Sequence, residues 1–343
     1  MGSVPNYEEV KMLKIKKAFS EVLVIGFSVL FLLAACTPPK PAQQFILRTG
    51  VVSTPGILPY AAIMDRGLDK KYGIQFVETS YVSSTAMLDA LAAGSLDVGI
   101  GVGTISLFSA VQNGLIPNKV LVGAAMSFSD PAHPFTAVLV APSINSWRDL
   151  KGKQIGVPAL YGPPAAGIKG RLRLEGISDY ILVEVALPNL GLSVAGGNIA
   201  AAVLAESYLT QSLLRKDGKL LGWVIGGVPF EKLEVNVVTF SATLYRENPQ
   251  AVKAFLKAYL EAVKWIDRNP DDARLLIGNK LSLTPEVTSK MAMPKWSLDG
   301  RNDPTSLESM QSVLLDVGML KAPIPVNQLY DETLLNEVLA EKR

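Results

Sequence analysis

From Phe45 onward, short apolar runs alternate with longer stretches in which apolar residues recur every three or four positions. The short runs read as strands and the longer stretches as helices. Residues 45–52, 74–79, 96–100, 138–140, 154–157 and 235–240 are predicted strands. Between the first three lie a predicted helix over 59–72, closed by Gly73, and a second, capped by Ser83 or Ser84, that runs to Ala93 before Gly94. Strands separated by helices in this way favour a mostly parallel sheet. The C-terminal third is helical. Asn248-Pro249, Asn269-Pro270, Thr284-Pro285 and Asp303-Pro304 each set a capping side chain before a proline. The proline's missing N–H costs nothing at the first helical position, so each pair marks a helix start. Val252, Phe255, Leu256, Tyr259, Leu260, Val263 and Ile266 fall on one face of the first of these helices, which predicts a core contact. Residues 84–98 and 189–203 share a helix, glycine, strand order, an internal echo that fits two similar lobes.

The N-terminus has a different pattern. Lys11, Lys14, Lys16 and Lys17 precede residues 22–35, fourteen positions with no charge and only Ser28 as a polar side chain. A positive cluster before an apolar run of this length is the pattern of a secretory signal. A permanent helical span needs about 20 apolar residues, so the run is marginal as one. It ends in Leu33-Ala34-Ala35-Cys36, followed by Thr37-Pro38-Pro39-Lys40-Pro41. This resembles the bacterial lipoprotein box, in which the thiol after small residues receives a diacylglyceryl group. The expectation is therefore a signal peptide over 1–36, with Cys36 as the lipid-bearing mature N-terminus, and a stiff proline-rich tether over 37–44. Residues 1–11 fit no part of such a signal, which favours Met12 as the translation start. The expected location is the extracytoplasmic face of a cell membrane, held there by the lipid.

Composition narrows the chemistry. The chain is 49% hydrophobic and 19% charged, enough apolar residue for a large core and too little charge for long disorder. Its net charge of +2 provides no field to hold nucleic acid. Cys36 is the only cysteine and His133 the only histidine. With Cys36 acylated, no thiol is left for nucleophilic catalysis, and one histidine cannot found a zinc or iron site. Gly99-Ile100-Gly101-Val102-Gly103 lacks the spacing of a dinucleotide-binding loop. The expectation is a non-enzyme without cofactor or metal.

Three segments carry a family resemblance: residues 88–99 (LDALAAGSLDVG), 147–158 (WRDLKGKQIGVP) and 247–252 (ENPQAV). In order and spacing they resemble the solute-binding lipoproteins of ABC importers, in the branch of nitrate, sulfonate, taurine and thiamine-pyrimidine binders. The resemblance spans roughly residues 45–335. It implies a periplasmic-binding-protein-like type II α/β fold, with two α/β lobes, a ligand cleft and two crossover strands. Residues 45–141 and 235–343 would form lobe I and residues 142–234 lobe II. It also implies a monomer that passes a small organic solute to a membrane permease, with a sulfonate, carboxylate, pyrimidine or flavin-like compound as the expected ligand. A lipoprotein sensor using the same clamp, or an enzyme of the same fold, are the alternatives.

In open α/β sheets ligands sit beyond the carboxyl ends of the strands, where helix N-termini present free N–H groups. Applied to the predicted strands, that rule selects Ser53 and Thr54, then Tyr81, Ser83 and Ser84, then Gly103, Thr104 and Ser106, and in the second lobe Tyr161 and Gly162. The hydroxyls and glycines of these loops would suit a carboxylate or sulfonate, although the scarcity of nearby cations favours a neutral or monoanionic solute. Arg48, Lys169 and Arg171 are the nearest candidate charges. Glu206 stands where the family commonly carries an acid that contacts the ligand or the hinge. The relatives' Asp-Ala just before it is Ala201-Ala202 here. Tyr161, Trp223 and Phe230 are candidates for an aromatic wall.

Overall fold

The computed structural model describes residues 6–8, 11–12 and 44–341. Cys36, the signal run and the 37–43 part of the tether lie outside the described residues. Tyr7, Glu8, Lys11 and Met12 are helical, and residues 44–341 form one compact unit. No helix among the described residues is long and apolar enough to cross a membrane.

Among the described residues, eleven strands build two sheets. In chain order they are β1 (Phe45–Val51), β2 (Ile74–Ser80), β3 (Val98–Gly103), β4 (Val120–Ser129), β5 (Thr136–Val140), β6 (Gln154–Val157), β7 (Ile181–Glu184), β8 (Ala201–Ala205), β9 (Lys219–Ile225), β10 (Leu233–Ser241) and β11 (Lys295–Trp296). The first sheet has the order β11-β4-β10-β3-β1-β2 and the second β7-β6-β8-β5-β9. Both are mixed rather than mostly parallel. β1 runs parallel to β2 and β3, while β10 is antiparallel to β3 and β4. β6 runs parallel to β7 and β8, while β5 is antiparallel to β8 and β9. The antiparallel pairs arise because the chain enters each sheet from the other one, through residues 130–135 and 226–232, and not through a βαβ crossover.

This connectivity moves both expected boundaries, since β10 of the first sheet already begins at Leu233, before residue 235. Residues 136–140 belong to the second sheet, so the first crossing precedes β5 and does not fall at residue 141. The helix Pro304–Asp316 also packs against both the Pro163–Leu174 helix and β10, so the C-terminal segment touches both lobes.

Local sequence explains most elements. The predicted 59–72 helix is two, Leu58–Asp65 and Leu68–Lys71, because Gly67 between them takes φ +64°. Three of the proline-marked starts are capped as expected: Asn248 accepts from the Ala251 N–H, Thr284 from Val287, and Asp303 from Thr305 and Ser306. Asn269 instead donates its amide to the Trp265 carbonyl, tying the new helix to the end of the previous one. The amphipathic helix Pro249–Arg268 buries its apolar face on the first sheet. There Phe255 meets Phe76 and Phe240 edge-on, with ring centroids 6.1 and 5.6 Å apart. β4 escaped the pattern because nine of its ten residues are buried. A strand covered on both faces shows no alternation.

Candidate functional site: a cleft between the two sheets

The carboxyl ends of β1, β2 and β3 and the amino end of antiparallel β10 face the corresponding ends of β6, β8, β7 and β5. A cavity of about 110 Å³ lies where they meet. From the first sheet come Thr54 after β1, Val82 to Thr85 after β2, Gly101, Gly103 and Ser106 at the end of β3, and Val235 and Asn236 in β10. The second sheet supplies Phe135 and Thr136 at the start of β5, residues 158–159 and 161–164 after β6, Leu187 after β7, and Ala205 at the end of β8. Every contribution comes from the strand end that the topology turns inward, which is where the physics of open sheets puts a ligand.

The walls are held by few, specific bonds. Ser83 Oγ caps its helix by accepting from the Ala86 N–H at 3.3 Å, and Ser84 Oγ accepts from the Gly103 N–H at 2.8 Å. The second bond fastens the β2 loop to the end of β3. Asn236 Nδ2 donates to the Gly101 carbonyl at 3.0 Å, and its Oδ1 accepts from Ser127 Oγ at 3.1 Å. A Cβ on Gly103 would stand 3.0 Å from Pro163 Cγ, so the two walls nearly touch there. Only glycine lets the cleft close this far. Val82 and Tyr161 stand at the rim, 89% and 68% exposed.

The lining is mainly apolar and holds no aspartate, glutamate, lysine, arginine, histidine or cysteine. Its polar groups are hydroxyls, one carboxamide and backbone. A larger depression of about 580 Å³ adjoins it, sharing Thr85, Ser106, Tyr161 and Gly162 and adding Ser109, Gln112, Asn113 and Lys321.

Thr54, Ser83, Ser84, Gly103, Ser106, Tyr161 and Gly162 thus line the cleft, as expected from the loops that carry them. Four expected contacts do not. Ser53 is exposed outside the lining. Tyr81 turns away to pack by Gly50 against the core under the β2 loop. Thr104 is fully buried behind the wall, its hydroxyl without a partner. Glu206 is buried at the end of β8, where it accepts from Thr210 Oγ1 at 3.0 Å and from the Ala292 N–H at 3.2 Å. It joins the second sheet to the C-terminal segment, away from the ligand space, and burial raises its pKa. Of the three aromatic candidates only Tyr161 faces the cleft; Trp223 and Phe230 belong to the cores.

Asn236 and Thr136 were invisible to the loop argument because both sit inside strands. Asn236 has a signal all the same: it is the single amide in an apolar strand, and a buried amide needs partners.

With this geometry in view, a family profile described as NMT1-like matches residues 40–278. The chain belongs to the NMT1-like family. The riboflavin-binding protein RibY of Chloroflexus aurantiacus is 24% identical over 349 aligned positions that cover 90% of this chain and 96% of RibY. The ligand-binding component of an ABC-type import system from Staphylococcus aureus superposes with a TM-score of 0.70 at 14% identity, covering 86% of this chain and 99% of that one. The desulfurization enzyme DszB superposes with a TM-score of 0.64 at 18% identity, covering 88% of this chain and all of its own. The fold of this family member is therefore that of two-lobed, periplasmic-type binding proteins, and the fold alone is shared by proteins that bind and by one that catalyses.

Proposed function

We propose that this NMT1-like protein is a lipid-anchored, extracytoplasmic solute-binding protein that captures a small organic solute and presents it to an ABC import permease. The observation that carries this reading is the cleft: two sheets joined by two crossing segments, with lining residues from both and no charged or nucleophilic side chain equipped for catalysis. The enzyme reading has the DszB likeness in its favour. Against it, Tyr161 is the only titratable side chain in the lining, and general acid–base chemistry needs a group poised near neutral pH.

Membrane attachment rests on the sequence around Cys36. Each buried CH₂ of an acyl chain contributes about 0.8 kcal/mol, and one chain binds only reversibly, so two or more are needed for lasting attachment. The solute classes that the family resemblance implies are sulfonates, carboxylates, pyrimidines and flavin-like compounds; RibY supports the last of these.

Two experiments test the reading. A panel of these solutes is screened by thermal shift on the full-length chain extracted in mild detergent. At least one class raises Tm with saturable concentration dependence; a flat response to all of them sinks the capture reading. Fatty-acid labelling of cells producing the wild type and Cys36→Ser tests the anchor. Label incorporation that persists in the variant removes Cys36 as the lipid site.

A further inference from the structure

Resting on the solute-capture reading, we infer that the cleft selects an uncharged solute, with hydrogen-bond acceptors on the edge facing the first sheet and an apolar face against the second. Three prolines set this preference. An anion in an α/β cleft is ordinarily held by the free N–H groups at helix N-termini and by the helix dipole. The helix Pro163–Leu174 opens directly onto the cleft, with Gly162, Pro163 and Pro164 all in the lining. Its first two helical residues are both prolines, so neither has an N–H to offer. Pro158, the first lining residue after β6, lacks one as well. Three of the seven positions 158–164, the strand-to-helix corner that gives the second sheet most of its share of the lining, are therefore unable to donate. At those three positions the corner presents pyrrolidine carbon instead.

No cation among the described residues lines the cavity in place of the missing donors. Arg48 is committed to Asp97, with Nε and Nη2 at 2.9 and 2.6 Å from its carboxylate. Arg171 pairs with Glu175 and stacks on Trp147 at 4.7 Å. Lys169 lies over the Tyr161 ring at 5.9 Å and does not line the cavity. Lys321 borders only the outer depression. An oxyanion closed into this space would meet mainly hydrocarbon and proline rings on the second-sheet side, where the side-chain donors are the Thr136 and Tyr161 hydroxyls, and an incompletely paired buried charge is strongly disfavoured. The first sheet is different. Thr54, Ser83, Ser84, Thr85 and Ser106 bring hydroxyls there, and the Thr104–Gln112 helix starts at the lining residue Gly103 without a side-chain cap, leaving its first N–H groups for an acceptor. Carbonyl or ring-nitrogen acceptors on a neutral, flat molecule satisfy that side at no charge cost. Within the candidate classes this favours pyrimidines and flavin-like solutes over sulfonates and carboxylates.

Matched pairs test the inference: uracil against orotate, riboflavin against its phosphate ester, and dimethyl sulfone against methanesulfonate. Each is titrated into the full-length, detergent-extracted chain by calorimetry at neutral pH. In every pair that binds, the uncharged member is at least about tenfold tighter, the equivalent of one charge-assisted hydrogen bond left unmade. The double variant Pro163→Ala/Pro164→Ala returns two N–H donors to the corner and narrows that ratio, while its circular dichroism stays that of the wild type. Anions binding the wild type as tightly as their neutral partners, or a ratio indifferent to the double variant, overturns this inference and leaves the capture reading standing. Absence of binding by every member removes the capture reading, and this inference with it.

Discussion

Glu234 offers a sharp test of the packing between the crossing region and the C-terminal segment. It is the second residue of β10, immediately after the second crossing, and is wholly buried. Its N–H donates to Ser306 Oγ at 2.8 Å, and its Oε2 accepts from the Asp303 N–H at 2.8 Å. No donor reaches Oε1. Burial, reinforced by the nearby charges of Asp303 and Glu332, pushes this carboxyl from an ordinary 4.5 up to about 8. Between those two values the folded protein keeps a proton that the unfolded chain has released. Stability contributed by the neutral form is thus full below pH 4.5 and declines as pH rises towards 8. At about 1.4 kcal/mol per pH unit, the loss by pH 7 is on the order of 3 kcal/mol. Glu234→Gln keeps the acceptor for Asp303 and cannot ionise. We expect thermal melts of wild type and variant to agree closely at pH 5 and to separate steadily above it. By pH 7 the variant should melt roughly 6–9 °C higher, using about 2–3 °C per kcal/mol for a chain of this size. Because the readout is a difference, other titrating groups cancel. An offset that does not change with pH, or a wild type that gains on the variant as pH rises, would refute the assignment of a neutral buried acid.

Other perturbations probe the hinge, the cap and the rim. Gly226 in the second crossing has φ +79°, and an added Cβ would lie 2.4 Å from Pro134 Cα and 2.8 Å from the Asp130 carbonyl of the first. Gly226→Ala should therefore push the two crossings apart, costing about 1–3 kcal/mol by urea unfolding and weakening solute binding as well. Asp303→Ala removes the cap on the Thr305 and Ser306 N–H groups and should cost about 1 kcal/mol by the same assay. Tyr161→Ala should change stability by less than about 0.5 kcal/mol, since the ring is largely exposed, yet reduce solute affinity measured by calorimetry. Unchanged affinity would take Tyr161 out of the site.

The sequence was most readable where a local rule has a single reason. A capping side chain followed by proline marked four helix starts, since proline is tolerated only in the first turn, and Gly67 shows the converse, a left-handed residue dividing an apparently continuous apolar pattern. The strand-end loops identified seven lining residues through the same topological logic. What remained hidden depends on contacts distant in the chain. Whether β5 joins the first or second sheet is decided by partners in β8 and β9, which no window around residue 138 contains. Tyr81 and Thr104 stand in the right loops, but side-chain direction within a loop follows from packing, and both turned into the core. Glu206 was read for its charge, whereas the structure uses it to join β8 to the Ala292 backbone. Pro163 and Pro164 read as an ordinary helix start, and their bearing on ligand charge appears only once the helix is seen to open on the cleft.

If the cleft between the sheets captures the solute, closing it must abolish binding. Gly103 faces Pro163 across the narrowest point, has φ −67°, and so accepts a side chain without backbone strain. Calorimetric titration of the tightest solute from the panel into wild type and Gly103→Leu compares an open site with an obstructed one. We expect one solute per chain for the wild type and no measurable heat of binding for the variant, with both giving the same circular dichroism spectrum. Equal affinity in the two proteins would contradict the account and place the solute elsewhere.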